Sequence, residues 1–178
     1  ATNAHNVAVG YVAGINVTTG VQNTLIGSGA GDALTDADSN VAIGYLSLTT
    51  DTLGSRAVAI GQGALFSQNF TTATNSYNVG IGYETGGAIT AGTLNTLIGG
   101  AAGDAITSAE RNVAVGYNAL TTNTLGNRNV AIGQGALADQ NYTTATDSYN
   151  VAVGDSAGLS VTTGIQNTLI GGLAGDAQ

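Results

Sequence analysis

The chain has 178 residues, of which only 8% are charged, and its 11 acidic residues against 3 arginines and no lysine give a formal net charge of −8. This balance argues against nucleic acid and anionic membrane surfaces as partners, because both attract basic patches. There is no cysteine, so neither a disulfide framework nor a thiolate metal site is predicted, and no apolar run reaches the length of a membrane span.

One five-residue phrase recurs ten times along the chain. Its clearest copy is Asn-Val-Ala-Ile-Gly at 40–44. The other copies begin at Asn6, Asn23, Ala57, Asn78, Asn95, Asn112, Asn129, Asn150 and Asn167. The second residue is Val or Thr, the fourth is Val or Ile, and the fifth is always Gly. Alternating β-branched residues followed by glycine predict a very short strand that ends in a turn.

The phrase returns every 17 residues, except that each fourth interval is 21 residues long. One cycle is therefore 72 residues, and the chain divides into 6–77, 78–149 and a partial cycle, 150–178, with about 46 identities between the first two. A 17-residue period is too short for a helical hairpin repeat and fits one turn of a β-solenoid. We predict one repetitive segment over 1–178. Both ends interrupt a coil and carry no polar cap, so we expect the chain to be a segment of a longer fibre.

Within one coil, the phrase has two apolar faces. The sequence analysis assigns Val41 and Ile43 to the interior of the coil and Ala42 to the opposite side. That opposite side is mostly small and never polar, which is typical of a close contact with another backbone. The predicted interchain contacts are Ala42, Ala59, Ala114 and Ala131. The phrase glycines Gly44, Gly61, Gly116 and Gly133 are predicted to turn the chain, with positive φ or with no room for a Cβ.

A threonine follows twelve residues after the start of the phrase in the 17-residue coils. The row consists of Thr18, Thr35, Thr52, Thr90, Thr107, Thr124 and Thr162. Regular hydroxyls on a flat sheet suit binding to ice or to a crystalline polymer. The structural alternative is that each threonine bonds its stacked neighbour, and we favour it because every fourth coil interrupts the row.

The four surplus residues of each 21-residue coil are predicted to form an outward loop within 66–76 and within 138–148, because the neighbouring coils fix the perimeter. We expect these loops to hold at least one exposed aromatic side chain among Phe66, Phe70 and Tyr142. Aromatic residues among Asn, Gln, Thr and Ser suit sugar rings. The candidate carbohydrate or receptor contacts are Phe66, Phe70, Tyr77, Tyr142 and Tyr149. The alternative, which we favour, is that Tyr77 and Tyr149 cover the Val/Ile row of the next coil.

The sequence offers no basis for catalysis, so we expect no enzyme, no cofactor and no metal. His5 is the only histidine and the repeats place Tyr77 and Tyr149 at its position. Asp32 and Asp104 follow glycine-rich turns, but an aspartate that recurs once per 72 residues does not make a shared calcium site. Arg56, Arg111 and Arg128 are interpreted as solvated surface residues.

The phrase Asn-Val-Ala-Ile-Gly and strings such as Val-Gly-Tyr-Asn-Ala-Leu at 115–120 resemble the YadA-like head repeat of trimeric autotransporter adhesins and related bacteriophage tail-fibre repeats. The resemblance covers all ten coils, although the regular 21-residue coil is not part of the standard adhesin pattern. It implies an all-β, left-handed parallel β-roll, a homotrimer and a longer fibre. It also implies an extracellular location, on a cell surface or a virion tail fibre, where the segment acts as a spacer and a multivalent attachment surface for a glycan or host receptor. The alternative function is the ice- or polymer-binding solenoid.

Overall fold

The computed structural model describes residues 3–176, and within them every regular element is a β-strand. Ten three-residue strands coincide with the ten phrases. They are β1 (Val7–Val9), β2 (Thr24–Ile26), β3 (Val41–Ile43), β5 (Val58–Ile60), β7 (Val79–Ile81), β8 (Thr96–Ile98), β9 (Val113–Val115), β11 (Val130–Ile132), β13 (Val151–Val153) and β14 (Thr168–Ile170). Four two-residue strands lie beside the 21-residue coils. They are β4 (Gly54–Ser55), β6 (Thr74–Asn75), β10 (Gly126–Asn127) and β12 (Thr146–Asp147).

The ten phrase strands form one parallel sheet in the order of the sequence. Equivalent phrase residues pair across each step, as Val41 with Val58 and Ala42 with Ala59 show. Each coil therefore stacks on the next with a rise of about 4.8 Å. This confirms the predicted all-β parallel β-solenoid of ten coils.

The surplus residues of the 21-residue coils form outward loops, as predicted. The backbone N–H of Leu53 donates to the carbonyl of Phe70 at 3.2 Å, and that of Thr74 donates back to the carbonyl of Leu53 at 3.4 Å. The residues between these two bonds, 71–73, are exposed, and so are 143–145 in the next cycle. The strand register is preserved across the loop, because Val79 still pairs with Val58.

The sequence analysis assigned the two faces of the phrase the wrong way round. The middle residue of the strand points into the coil, and Ala42, Ala59, Ala114 and Ala131 are each 0% exposed within a single chain. These four side chains are core residues and cannot be interchain contacts. The flanking Val and Ile residues point outward instead and are only partly buried.

The core stays evenly filled because side-chain sizes compensate across each coil. Where the strand carries Leu25, the facing turn carries Gly31, and a Cβ there would lie 2.8 Å from the Leu25 side chain. Where the strand carries Ala42, the position equivalent to Gly31 is Leu48, which is fully buried. One large aliphatic side chain therefore fills this space in either arrangement, as close packing requires.

The corners of the coils rely on left-handed backbone at residues other than glycine. The residue just before the phrase has a positive φ in every coil, for example 63° at Arg56 and 51° at Tyr77. This conformation is uncommon for residues with a Cβ. It persists here because the hydrogen bonds to the coils above and below fix the turn.

Candidate functional site

The outward-pointing residues of the ten strands define a surface that we call the outer sheet face. One column carries Val or Thr and the other carries Val or Ile, in positions on either side of the buried middle residue. No residue in either column is charged. Inner members such as Ile98 are 37% exposed, and Ile170 at the last strand is 71% exposed. The face is therefore a continuous apolar strip along the solenoid.

Exposed tyrosines border this strip on the side of the phrase glycines. They are Tyr11, Tyr45, Tyr83 and Tyr117, each more than half exposed. Contiguous exposed apolar area of this kind marks an interaction surface. The outer sheet face is therefore a candidate interaction surface.

The phrase glycines behave as predicted. Gly44, Gly61, Gly116 and Gly133 have φ between 130° and 136°. A Cβ on Gly44 would lie 2.6 Å from the backbone of Gly61 in the next coil. Both the backbone conformation and the contact with the next coil require glycine here.

The aromatic residues of the two loops have different environments. Phe66 is 40% exposed, whereas Phe70 and Tyr142 are each 7% exposed. The hydroxyl of Tyr142 donates to the carbonyl of Gly164 at 2.8 Å. The expectation of at least one exposed aromatic side chain among these three is met by Phe66, whereas the rings of Phe70 and Tyr142 are buried beneath the loop.

Tyr77 and Tyr149 are about half exposed, and each is covered by an arginine. The guanidinium carbon of Arg56 lies 5.6 Å from the centre of the Tyr77 ring, and Arg128 lies 5.5 Å from that of Tyr149. Such cation–π contacts contribute about 0.5–1 kcal/mol at exposed sites. About half of each tyrosine remains exposed, so a carbohydrate or receptor contact at Tyr77 and Tyr149 stays a prediction.

The two ion pairs lie on the surface, as expected. Arg111 pairs with Glu110 at 2.9 Å and Arg128 with Asp147 at 3.1 Å, with side chains between 37% and 47% exposed. A hydrogen bond from Asn127, aided by Arg128, lowers the pKa of Asp147 below its usual value. Exposed pairs of this kind add little to stability.

The threonine row is bonded within the chain. The hydroxyl of Thr35 donates to the carbonyl of Thr52 at 3.1 Å, and that of Thr18 donates to the carbonyl of Thr35 at 3.2 Å. The same bond recurs at Thr90 and Thr107. These hydroxyls connect stacked coils, which favours the structural explanation of the row over binding to ice.

The turn aspartates also have partners within the chain. Thr49 donates to Asp32, Thr121 donates to Asp104 at 2.6 Å, and Ser160 donates to Asp176 at 2.8 Å. Residues 3–176 contain no group of three or more His, Asp or Glu side chains placed to hold a metal ion. They also contain no helix long and apolar enough to cross a membrane.

The first residue of the phrase forms a buried asparagine ladder, which the sequence analysis missed. The Asn95 side chain is 0% exposed. Its amide nitrogen donates to the carbonyl of Ala109 at 2.9 Å, and its oxygen accepts from the backbone N–H of Asn112 at 3.0 Å. The ladder continues in both directions through the other phrase asparagines and is interrupted at Ala57. The recurrence of asparagine at this position was the available signal.

A second buried polar cluster lies beneath each loop. In the first cycle, the Asp51 carboxylate accepts from the side chain of Gln68 at 2.6 Å and from the backbone N–H groups of Gly54 and Phe70, both at 3.0 Å. Gln68 in turn accepts from Asn78 at 2.8 Å. Burial raises the pKa of Asp51 above its usual value, and the three hydrogen bonds oppose that rise without cancelling it. Asp51 therefore favours its protonated form in the folded chain more than in the unfolded one.

The second cycle places Asn123 where the first has Asp51. Its oxygen accepts from the backbone N–H of Gly126 at 3.0 Å and its amide donates to the carbonyl of Gly126 at 2.8 Å. The amide nitrogen of Gln140, the counterpart of Gln68, has no hydrogen-bond partner among the described residues. The two cycles thus offer an ionisable and a non-ionisable version of one cluster.

We expect Asp51→Asn to change how stability depends on pH. Because the folded pKa is raised, the Asp51 contribution is most favourable below the unfolded value near 3.8 and declines as pH rises through the folded pKa. The free energy of unfolding of the variant, minus that of the parent, should therefore increase as the pH rises from the unfolded pKa to the raised folded pKa, and level off above it. Urea unfolding at a series of pH values measures this difference.

The matched change is Asn123→Asp in the second cycle, which should add a second decrease in the free energy of unfolding as the pH rises. Parallel stability curves for the parent and Asp51→Asn would contradict the raised pKa.

Compared with family models, with curated proteins and with solved structures, the chain matches none.

Proposed function

We propose that the chain is a structural segment of an adhesive fibre, in which copies associate through the outer sheet face and the solenoid serves as spacer and attachment surface. The observation that carries the proposal is the uncharged strip of Val, Ile and Thr side chains that runs the length of the ten-stranded sheet. Leaving such a strip in water is unfavourable by about 25 cal/mol per Å² of apolar surface.

The shape of the strip favours a second copy of this chain as its occupant. The side chains form rows about 4.8 Å apart, and a surface that fits between them along the whole solenoid must have the same spacing. A copy of the same sheet has that spacing. A homotrimer on a cell surface or a virion tail fibre is the arrangement that the resemblance to YadA-like head repeats supports.

Particle mass tests the proposal. Light scattering on the parent should give a multiple of the chain mass of 17.4 kDa, and three copies fit the proposed fibre. Ile98→Glu places a carboxylate on the outer sheet face without entering the core, because Ile98 points outward. The variant should keep the β-sheet circular dichroism of the parent and dissociate to a monomer.

The control is Ser108→Glu, which adds the same charge at an exposed position outside the sheet. It should leave the particle mass unchanged. A monomeric parent, or an Ile98→Glu variant with the parental mass, would refute association through this face.

A further inference from the structure

A cavity of about 380 Å³ lies on the side of the solenoid that follows the phrase glycines. Four successive coils contribute to it, with Tyr45 from the third, Gln62 and Phe66 from the fourth, Glu84 from the fifth and Asp104 from the sixth. Its volume falls in the range of small-ligand sites, roughly 300–1,000 Å³. The cavity lies within one chain, outside the strands that form the outer sheet face.

Backbone hydrogen bonds between the coils fix the positions of the lining residues. The N–H of Gly63 donates to the carbonyl of Tyr45 at 3.0 Å, and the N–H of Glu84 donates to the carbonyl of Gln62 at 2.9 Å. The carboxylate of Asp104 is held by the Thr121 hydroxyl at 2.6 Å. The aromatic side chains remain accessible, since Tyr45 is 53% exposed and Phe66 is 40% exposed.

The second cycle shows that the fold does not require this cavity. The counterparts of Phe66, Glu84 and Gly87 are Ala138, Ser156 and Leu159. A Cβ on Gly135 would lie 3.6 Å from the Leu159 side chain. In the first cycle Gly87 has no side chain, and a Cβ on Gly63, the counterpart of Gly135, would lie 3.5 Å from Cγ of Glu84 instead. The same coils therefore form with and without the Phe66 ring and the Glu84 carboxylate.

The charges of the lining favour a positively charged ligand. Two aromatic side chains and two carboxylates border the cavity and no arginine does, in a chain whose formal net charge is −8. Carboxylates form paired hydrogen bonds with a guanidinium group, and aromatic faces attract it. The chain already uses this combination at Arg128, which lies over the Tyr149 ring and pairs with Asp147.

We propose that this cavity binds the guanidinium group of an arginine side chain on a partner protein. The inference gives the attachment part of the proposed function a partner chemistry. It does not depend on association through the outer sheet face, because a single chain provides the whole cavity. A parent that is monomeric and binds the probe described below would refute the association and support the cavity.

The probe is Nα-acetyl-arginine amide, and the matched neutral probe is Nα-acetyl-citrulline amide, which has nearly the same shape. Titration followed by NMR should show saturable binding of one arginine probe per chain, with chemical-shift changes at Gln62 and Glu84. The citrulline probe should bind at least tenfold more weakly, and added salt should weaken arginine binding. Methyl β-glucoside serves as a third ligand for the case of a neutral sugar site.

Three single variants use residues that the chain itself carries in the second cycle, so each is compatible with the fold. Phe66→Ala removes a ring, Glu84→Ser removes a carboxylate, and Gly87→Leu fills the space. Each should weaken arginine binding at least fivefold while the melting temperature stays close to that of the parent. Unchanged binding in Gly87→Leu would overturn the assignment, as would equal binding of arginine and citrulline or preferential binding of the glucoside.

The reverse exchange builds the site in the second cycle. It consists of Asn118→Leu, Ala138→Phe, Ser156→Glu and Leu159→Gly, because the tyrosine, glutamine, glycine and aspartate of the lining are already present there. The number of arginine probes bound per chain should rise from one to two. A folded variant that still binds one would contradict the proposal that these residues make the site.

Discussion

Asn95→Ala is expected to lower the free energy of unfolding by about 2–5 kcal/mol, since each buried group left without a partner costs about 1–3 kcal/mol. The substitution removes the acceptor of the Asn112 N–H and the donor to the Ala109 carbonyl, at a position that is 0% exposed. Urea unfolding followed by circular dichroism measures the loss.

The chain provides a matched control for this prediction. Asn129 is the counterpart of Ala57, the one phrase that begins without asparagine. The ladder is interrupted at Ala57. The backbone N–H of Ala57 still donates to the Asn40 side chain at 2.8 Å. Ala57 offers no side-chain oxygen to the next coil, and the backbone N–H of Asn78 donates to the Ser76 hydroxyl at 3.5 Å instead. Asn129→Ala should therefore cost less than half as much as Asn95→Ala. Equal losses would mean that the ladder bonds are not the source of the stability.

Gly116→Ala is expected to be at least as destabilising. Its φ is 136°, and a Cβ would lie 2.5 Å from the carbonyl oxygen of Gly133 in the next coil. An oxygen of the backbone cannot move aside without separating the two coils, so the cost should exceed the roughly 1 kcal/mol of an ordinary glycine replacement. Thermal unfolding should show a clear fall in melting temperature.

Gly171→Ala separates the two causes. Gly171 has φ 122°, yet nothing lies within 4 Å of the position that its Cβ would occupy. This variant carries the conformational cost without the clash and should be clearly more stable than Gly116→Ala. Equal melting temperatures would show that the contact with the next coil contributes nothing.

The strands, their order and their register could be predicted because the phrase marks the same three residues in every coil. The inside and the outside of the strand could not be predicted from alternation alone. Both faces of Val-Ala-Ile are apolar, and a period of two is satisfied whichever face is buried. The informative signal was that side-chain size varies in opposite directions at two positions: Leu25 occurs with Gly31, and Ala42 occurs with Leu48. Such a relation indicates that both positions fill the same interior space, so the middle residue of the strand faces the interior.

The candidate functional surfaces were harder to predict for a different reason. The exposure of Phe66 and the burial of Phe70 depend on which way a loop turns, and both residues occur in the same polar context. Tyr45 and Asp104 line the same cavity although they are far apart in the sequence and belong to the third and the sixth coil, so only the stacking of the coils relates them. The asparagine ladder, by contrast, was visible in the repeat and needed only the physical argument that a buried amide must be bonded.

We expect the 21-residue coil also to hinder misalignment of the coils during folding. If all coils had 17 residues, a growing solenoid could skip one coil and still place Val, Ile and Asn side chains in equivalent positions. In this chain such a slip would bring the surplus residues of the loop against a coil of the wrong length and separate Asp51 from Gln68. Only a shift by a full 72-residue cycle restores the pattern, and that shift leaves four coils unpaired. The loop in every fourth coil thus fixes which coils can stack on each other.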